Sequence, residues 1–462
     1  MKLIPIILAA GQGSRMNSSL PKVLHSVGGK SMLQHVIDSC RSLNAEKIVV
    51  VYGHGGDLVR EVIANTSKTA NKDLYWAEQK EQNGTGHAVI QANEYLEDDA
   101  VVIIAYGDVP LIQPQTLQAL ADKLTGDTVL TVLTTVLNDP FGYGRMVRND
   151  NNKITSIVEE KDANDEQRKI SEVNTGFIAA KGKDLKRWLQ QLSPENAQAE
   201  YYLTDCVALA ANEGGNVETV VCDDPFEVQG VNNRIQQAEL ERAYQRSQAE
   251  SLMLAGITLI DPERCDVRGT LTAGKDVLID VNAVFIGDVT LGDNVIIEPN
   301  CVIKDCKIGD NVTVKSHSNL ELATIGKGCD IGPFARVRPD TVLKENAKVG
   351  NFVEIKKSTI GVGSKVSHLS YIGDTTMGDD VNIGAGTITC NYDGVNKSQT
   401  VIGNGVFVGS DTQLVAPVTI SDGSTIGAGS TITKDTPEDE LTLSRSKQIT
   451  IKGWQRPVKN KN

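Results

Sequence analysis

The sequence predicts an α/β domain followed by a parallel β-helix domain, and two patterns indicate this arrangement. In the N-terminal half, aliphatic runs such as 3–8 and 101–106 alternate with helical stretches, which is typical of a parallel sheet covered by helices on both faces. From about 279 to 432, an aliphatic residue returns every six positions. So short a period is typical of a parallel β-helix, because one unit cannot bury its own apolar face and must stack on its neighbours.

The composition limits the kinds of partner and compartment. The chain has 462 residues, which is too long for a single core, and it carries 59 acidic and 46 basic residues for a net charge of −13. This charge argues against a nucleic acid or an anionic membrane as partner. The eight cysteines include no C-x-x-C pair, and the apolar run 3–10 is too short to span a membrane. We therefore expect a cytoplasmic chain with reduced thiols and no membrane insertion.

We expect four segments along the chain. Residues 1–234 form the α/β domain, 235–255 a helical linker, 256–437 the β-helix domain and 438–462 a tail. The stretch 233–254 lacks Gly and Pro and therefore predicts one continuous helix. Its apolar face is narrow, so we expect a solvated strut between the domains rather than one helix of a coiled coil.

The loop after the first strand has the features of an anion site. Gly11 and Gly13 leave backbone amides free to surround a phosphate, and Arg15 and Lys22 add the cations that an acidic chain needs for an anionic ligand. The loop matches neither G-x-G-x-x-G nor a Walker A motif, so a dinucleotide or P-loop site is not favoured. A tight structural turn is the alternative, and the paired cations favour a nucleotide site over it.

The six-residue pattern has regular corners and one interruption. Glycine, asparagine and aspartate recur where corners are expected, as in 309–311, 378–380 and 403–405, because these residues tolerate left-handed backbone. Between 383 and 402 the pattern is lost, and 389–394 is predicted to be an ejected loop. Loops that leave a rigid scaffold often hold binding groups.

Three motifs carry a resemblance to a known family. They are Leu8-Ala9-Ala10-Gly11-x-Gly13-x-Arg15-Met16, Pro21-Lys22-Val23-Leu24-His25 and Tyr106-Gly107-Asp108, and they resemble those of sugar-1-phosphate nucleotidyltransferases. With the hexapeptide repeats, the whole chain is similar to the bacterial bifunctional N-acetylglucosamine-1-phosphate uridyltransferase/glucosamine-1-phosphate acetyltransferase family. The resemblance implies a Rossmann-like nucleotidyltransferase sheet, a left-handed parallel β-helix and a homotrimer. It also implies synthesis of UDP-N-acetylglucosamine for peptidoglycan and lipopolysaccharide.

For the uridyltransferase, the resemblance implies a site for UTP and N-acetylglucosamine-1-phosphate. Arg15 and Lys22 would be catalytic, and Asp108 and Asn232 would ligate Mg²⁺, which needs few protein oxygens. The residues implied in nucleotide and sugar binding are Leu8, Ala9, Ala10, Gly11, Lys22, Gln79, Gly84, Thr85, Tyr106, Gly107, Asp108, Gly144, Glu159, Asn174 and Asn232. The sugar phosphate oxygen would attack the α-phosphorus and release pyrophosphate, with catalysis by alignment and charge neutralisation.

For the acetyltransferase, the resemblance implies sites for glucosamine-1-phosphate and acetyl-CoA. His368 would be the base that takes a proton from the amine, and Glu354 would orient or stabilise its imidazole. The sugar phosphate would be bound by Arg338, Lys356, Tyr371 and Asn382. Acetyl-CoA would be bound by Ala385, Asn391, Tyr392, Ser410, Ala428 and Arg445, with the amide of Ala385 as oxyanion donor.

Two other functions are compatible with parts of this pattern. The chain could be a nucleotidyltransferase whose β-helix only assembles or regulates it, or a non-catalytic scaffold that keeps the fold. His368 with Asn382 and Asn391-Tyr392 argues against the first alternative, and Arg15, Lys22 and Asp108 argue against the second.

Overall fold

The computed structural model describes residues 2–66 and 71–459. The chain divides into two compact units, Met1–Tyr244 and Gln245–Asn462. Within the described residues, no helix is long and apolar enough to cross a membrane.

The first unit is built on a mixed sheet with strand order β11-β7-β10-β6-β1-β4-β5. The strands of this unit are β1 Leu3–Ala9, β2 Ser26–Val27, β3 Lys30–Ser31, β4 Ile48–Tyr52, β5 Leu74–Glu78, β6 Val101–Tyr106, β7 Thr128–Val136, β8 Arg145–Arg148, β9 Ile154–Val158, β10 Glu172–Lys181 and β11 Asn216–Val221. Its helices are α1 Met32–Arg41, α2 Gly56–Thr66, α3 Thr85–Gln91, α4 Pro114–Asp122, α5 Asp165–Arg168, α6 Gly182–Leu189, α7 Asp205–Asn212 and the start of α8 Arg234–Leu254.

The sheet is parallel along most of its main path, as predicted, but it also contains antiparallel pairs at β10 and in the β8–β9 hairpin. β10 lies between β6 and β7 and runs antiparallel to both, because the chain reverses through the β8–β9 hairpin after β7. The other pairs along the main path, including β1 with β4 and β6, are parallel. Alternate residues of β1, such as Ile6 and Ile7, belong to separate cores on opposite faces of the sheet. Both faces are therefore covered, as the continuous aliphatic runs predict.

Helix α8 is continuous, but it is not solvated along its whole length as expected, because three of its positions are buried. Leu240 is fully buried in the first unit, where it packs with Val27 and Val231. In the second unit, Ala249 belongs to the hydrophobic core. Gln245 is buried there as well, and its amide accepts from Val267 N at 2.7 Å and donates to Val267 O at 2.9 Å. The few buried positions are spread along the helix, so they form no continuous apolar stripe that the sequence pattern would reveal.

The second unit is a parallel coil with two sheets. The 11-stranded sheet contains Thr258–Leu259, Leu278–Ile279, Ile296–Ile297, Thr313–Val314, Asp330–Ile331, Lys348–Asn351, Lys365–His368, Asn382–Ile383, Phe407–Val408, Thr425–Ile426 and Leu441–Thr442. The 17-stranded sheet contains Cys265–Ala273, Ala283–Leu291, Val302–Lys304, Lys307–Ile308, Asn319–Glu321, Ala323–Ile325, Arg336–Val337, Thr341–Leu343, Glu354–Lys356, Thr359–Ile360, Tyr371–Gly373, Thr375–Met377, Ile388–Cys390, Thr400–Ile402, Gln413–Val415, Val418–Ile420 and Thr431–Ile432.

The coil confirms the parallel β-helix predicted from the six-residue pattern. Val349, Val366 and Ile383 occupy equivalent inward positions of successive coils, and all three are buried. Asn311 and Asp380 have left-handed φ angles of 56° and 55°, as expected for corners. The hand of the coil stays a prediction. The last strand, Leu441–Thr442, lies beyond residue 437, where we expected this domain to end.

The ejected loop begins later than predicted. Ile388–Cys390 is a strand of the coil, and Thr389 is fully buried at an inward position. Its hydroxyl accepts from Gly373 N at 2.7 Å and donates to Gly373 O at 3.1 Å. A polar residue therefore fills a place that the aliphatic pattern assigns to Ile or Val, and the loop itself comprises 391–399.

Candidate active sites

A cleft of about 310 Å³ opens in the first unit at the carboxyl ends of the strands. The residues that line it are Leu8, Ala9, Ala10, Gly11, Lys22, Val23, Gln79, Gln82, Gly84, Thr85, Ala88, Tyr106, Asp108 and Glu200. Most come from the ends of β1, β5 and β6 and from the start of α3, whereas Lys22 and Val23 come from the turn at 22–24 and Glu200 from the loop before α7. Because β1, β4, β5 and β6 are parallel, these ends meet at one edge of the sheet, where ligands of such folds bind.

One end of the cleft is formed by amides and backbone groups. Gln79 is buried, and its Nε2 donates to Gly84 O at 3.2 Å and lies 3.1 Å from His87 Nδ1. Gly84 has a φ of 105°, and a Cβ added there would lie 2.6 Å from Tyr201 O. The turn therefore requires glycine. A glutamine amide beside exposed backbone groups can match the imide edge of a pyrimidine.

The other end of the cleft is charged. Lys22 Nζ forms an ion pair with Asp108 and donates to Asn232 Oδ1 at 3.2 Å, and Arg15 donates to the same Asn232 oxygen at 3.0 Å. The oxygens of Asp108 and Asn232 thus converge on one cationic group. This donor set fits Mg²⁺, a hard cation that takes one or two protein oxygens and fills its other positions with water and phosphates. The described residues hold no cluster of three or more His, Cys, Asp or Glu for a metal that needs more protein ligands.

A second group of side chains surrounds Gly144. Asn174 N donates to Gly144 O at 2.8 Å, and a Cβ added to Gly144 would lie 3.3 Å from both carboxylate oxygens of Glu159. Thr204 Oγ1 donates to Glu159 Oε1 at 3.1 Å. Burial raises the pKa of Glu159, and the nearby charges of Asp162 and Asp205 act in the same direction. Carboxylate, hydroxyl and amide groups in such a partly desolvated place suit the hydroxyl and acetamido groups of a sugar.

In the second unit, four of the predicted residues lie in one row. Val366, Ile383, Val408 and Ile426 are paired in register in successive coils. Two residues further along each coil lie His368, Ala385, Ser410 and Ala428. Arg445 NH1 donates to Ala428 O at 2.8 Å and so lies at the far end of the row. We call His368, Ala385, Ser410 and Ala428 the acyl row, after the acyltransferase site that the resemblance implies for them.

Within this chain, the side chain that contacts His368 is Asn351 and not Glu354. The Glu354 carboxylate accepts from Arg338 NH1 at 2.6 Å, so its expected role toward the imidazole stays a prediction. His368 is exposed, and its Nδ1 lies 2.8 Å from Oδ1 of Asn351, which is paired with it in the preceding coil. An amide oxygen only accepts, so Nδ1 carries the proton and Nε2 is left as the basic nitrogen.

The other predicted residues of the second unit are spread over two sheets. Glu354 and Tyr371 are paired on the 17-stranded sheet, where Lys356 pairs with Gly373, whereas Asn382 belongs to the 11-stranded sheet. Asn391 is buried and its amide donates to Asp374 at 2.5 Å, so it anchors the ejected loop. Tyr392 is exposed on that loop.

Family models match three regions of the chain. Residues 5–164 match the MobA-like NTP transferase domain, 267–353 the GMPPB C-terminal domain and 399–434 the bacterial transferase hexapeptide (six repeats). The chain is 57% identical over 454 residues to "Bifunctional protein GlmU" of Marinobacter nauticus, which covers 98% of both chains. It is 56% identical over 461 residues to the protein of the same name from Idiomarina loihiensis, over 100% of both chains. The chain belongs to the bifunctional GlmU family.

A solved UDP-glucose pyrophosphorylase in complex with UDP-glucose is also similar. It has a TM-score of 0.45 and 15% identity, over 54% of this chain and 100% of that one.

As a GlmU-family member, the chain is a bifunctional transferase with a nucleotidyltransferase domain and a hexapeptide domain of the acetyltransferase type. The family and the two activities predicted from the motifs are confirmed, which sets aside the single-activity and scaffold alternatives. The residue roles stay predictions.

Sequence reasoning assigned no role to several polar residues that the structure brings to these sites. Gln82 lines the cleft, Thr204 binds Glu159, and Asn351 binds His368. Gln82 lies close in sequence to Gly84 and Thr85, which the resemblance had marked. Asn351 could have been found from the repeat, because it precedes His368 by one coil.

Proposed function

We propose that the chain makes UDP-N-acetylglucosamine in two steps. It acetylates glucosamine-1-phosphate with acetyl-CoA, and it then transfers UMP from UTP to N-acetylglucosamine-1-phosphate and releases pyrophosphate. The single observation that carries the second step is the convergence of Arg15, Lys22, Asp108 and Asn232 at one end of the cleft. Cytoplasmic location and assembly as a homotrimer belong to the same proposal.

In the uridylyl step, the cleft aligns the two substrates. Gln79 and the backbone at 8–11 and 84–85 hold the base, while Gly144, Glu159 and Asn174 hold the sugar. The sugar phosphate oxygen attacks the α-phosphorus in line with pyrophosphate, and Arg15 and Lys22 neutralise the charge that develops on the phosphates. Asp108 and Asn232 would hold Mg²⁺, which supplies further charge neutralisation when bound.

In the acetyl step, the amine nitrogen attacks the thioester carbonyl while Nε2 of His368 takes the proton of the amine. The C–S bond then breaks, and the sulfur leaves as the CoA thiol with that proton. Asn351 fixes the imidazole tautomer through Nδ1. Arg338 and Lys356 bind the phosphate with Tyr371 and Asn382 at the sugar, and the amide of Ala385 stabilises the oxyanion. Acetyl-CoA extends along the acyl row towards Arg445, with Tyr392 beside it.

The proposal is tested with purified protein, acetyl-CoA, glucosamine-1-phosphate, UTP and Mg²⁺, by leaving out one component at a time. Omission of acetyl-CoA should abolish the nucleotide sugar, and addition of N-acetylglucosamine-1-phosphate should restore it. Omission of Mg²⁺ should stop pyrophosphate release but not release of free CoA thiol. If glucosamine-1-phosphate is uridylylated as fast without acetyl-CoA, the proposed order of steps is wrong.

A further inference from the structure

An ion pair with one buried member lies beneath the loop that leads to Gly144. Its carboxylate, Glu160, is 20% exposed and also lies 3.6 Å from Arg168. Arg145 is only 2% exposed, and its NH2 lies 2.7 Å from Oε2 of Glu160. The same Glu160 oxygen accepts from Gly142 N at 3.2 Å, and Arg145 NH1 donates to Tyr143 O. Both members of the pair are thus bonded to the backbone of this loop. Because Arg145 lowers the pKa of Glu160, the carboxylate is charged at neutral pH.

The two consecutive glutamates face different parts of this loop. Glu159 approaches Gly144 and accepts from Thr204, whereas Glu160 binds Arg145 and Gly142. They follow directly after β9, where alternate residues point in opposite directions. The loop is therefore held from one side by Glu160 and meets Glu159 on the other.

We propose that Arg145 and Glu160 are positioning residues for the sugar end of the cleft. They hold 142–143 so that Gly144 stays against Glu159 and Asn174, at the depth at which a 2-acetamido hexose 1-phosphate binds. The inference rests on the function proposed above. A buried charge pair that only supports the fold would also be costly to break, since a lone buried charge is left behind. A positioning role predicts that removal of the charge weakens binding of the sugar phosphate, whereas a purely structural role predicts a loss of stability without that specific effect.

The test uses Glu160→Gln, which keeps the shape of the side chain and an oxygen for Gly142 N but removes the charge that binds Arg145. We expect the KM for N-acetylglucosamine-1-phosphate to rise about tenfold, as for the loss of one charge-assisted hydrogen bond. The KM for UTP, the kcat and acetyl transfer in the same sample should stay within about twofold. Arg145→Lys, which keeps the charge but loses the planar fork, should raise the same KM less.

The neighbouring pair Arg148–Glu172 provides a matched control. Arg148 lies on the same strand β8 and bonds Glu172 at 3.0 Å, but its backbone contact is Asn152 O and not the 142–143 loop. Glu172→Gln should therefore leave the sugar phosphate KM unchanged. An equal rise in both variants would show that β8 is merely destabilised, and an unchanged KM in Glu160→Gln would also overturn the proposal.

A second measurement does not depend on a stable variant. In the ligand-free wild type, the amide of Gly142 should exchange with deuterium slowly because Glu160 binds it, and addition of N-acetylglucosamine-1-phosphate should slow it little further. Fast exchange that only the ligand suppresses would mean that the loop is not held in advance. This outcome is separate from a wild type without uridylyl transfer, which would overturn the proposed function and leave the loop measurement standing.

Discussion

The two candidate sites differ in how the chain brings their residues together. In the first unit, Lys22, Asp108 and Asn232 are far apart in sequence and contact one another directly. In the second unit, the residues of the acyl row recur once per coil along one edge, and His368 is exposed. Where the strand ends of a sheet meet at one edge, side chains from distant parts of the sequence come together in one place. In a coil, the same position recurs in each turn, so the side chains form a row. The first site is a cleft lined by residues of a single unit, whereas the acyl row lies on an exposed part of the coil.

The largest expected effect tests whether the site in the first unit acts independently of the site in the second unit. Asp108→Asn removes the charge that balances Lys22 and would bind the metal, so we expect uridylyl transfer to fall about a thousandfold or more. Acetyl transfer, measured as release of free CoA thiol, should stay within about twofold. Asp98→Asn is the control, because Asp98 pairs with Lys186 at the surface and is not among the residues that line the cleft. Normal Mg²⁺-dependent turnover of UTP by Asp108→Asn would contradict its role.

The converse change tests the site in the second unit. His368→Ala removes the proposed base, so acetyl transfer should fall by about 10² to 10⁴ and uridylyl transfer should be unchanged. His317→Ala is the matched control in the same unit, because His317 stacks on Phe334 at 4.8 Å between ring centroids. Loss of both activities in a folded His368→Ala protein would mean that the two sites are not independent.

A smaller effect decides which residue positions the imidazole. Asn351→Ala removes the acceptor of Nδ1, and we expect acetyl transfer to fall about tenfold. Asn351→Asp, which places a carboxylate there, should move the acidic limb of the pH–rate profile to higher pH. Glu354→Gln should leave that limb in place, since Glu354 binds Arg338. The reverse result would restore the role that the sequence assigned to Glu354.

The smallest effect concerns Glu159 in the proposed sugar site, whose partly desolvated environment is the opposite of that of the exposed acyl row. Burial raises the pKa of Glu159 above its ordinary 4.5, so its contribution to stability is present below that pH and is lost as pH rises through the folded-state value. Glu159→Gln should therefore have a Tm close to the wild type at pH 4 and above it at pH 7. For Glu160, whose pKa Arg145 lowers, Glu160→Gln should be the less stable protein at pH 7. Equal Tm shifts at both pH values would contradict these directions.

The fold could be predicted where one residue per short repeat determines it. Inward aliphatics and left-handed corners are local features, so the six-residue pattern showed them directly. The antiparallel strand β10 depends on pairing with strands far away in sequence, which no local pattern reveals. Thr389 was missed for a different reason, because its hydroxyl is satisfied by Gly373 inside the coil and a threonine appears to break an aliphatic pattern.

The sequence predicted which residue types form the candidate sites, but it did not predict in which direction each side chain points. The sequence placed cations and a carboxylate near a nucleotide, and the structure brings Arg15, Lys22 and Asn232 into contact. It could not separate Glu159 from Glu160 by charge, because the direction of each side chain depends on where β9 ends. The residue that contacts His368 likewise depends on the register of the coils, which pairs it with Asn351.

The acyl row has one residue per coil, so its length is determined by the number of coils. Neighbouring strands lie about 4.8 Å apart, so the three steps from His368 to Ala428 span roughly 14 Å. Duplication of the coil between Ser410 and Ala428 would keep every inward side chain in place and yet carry Ala428 and Arg445 one rung further from the base. In a protein of this design, the length of the binding site for an extended acyl donor can change only by whole coils.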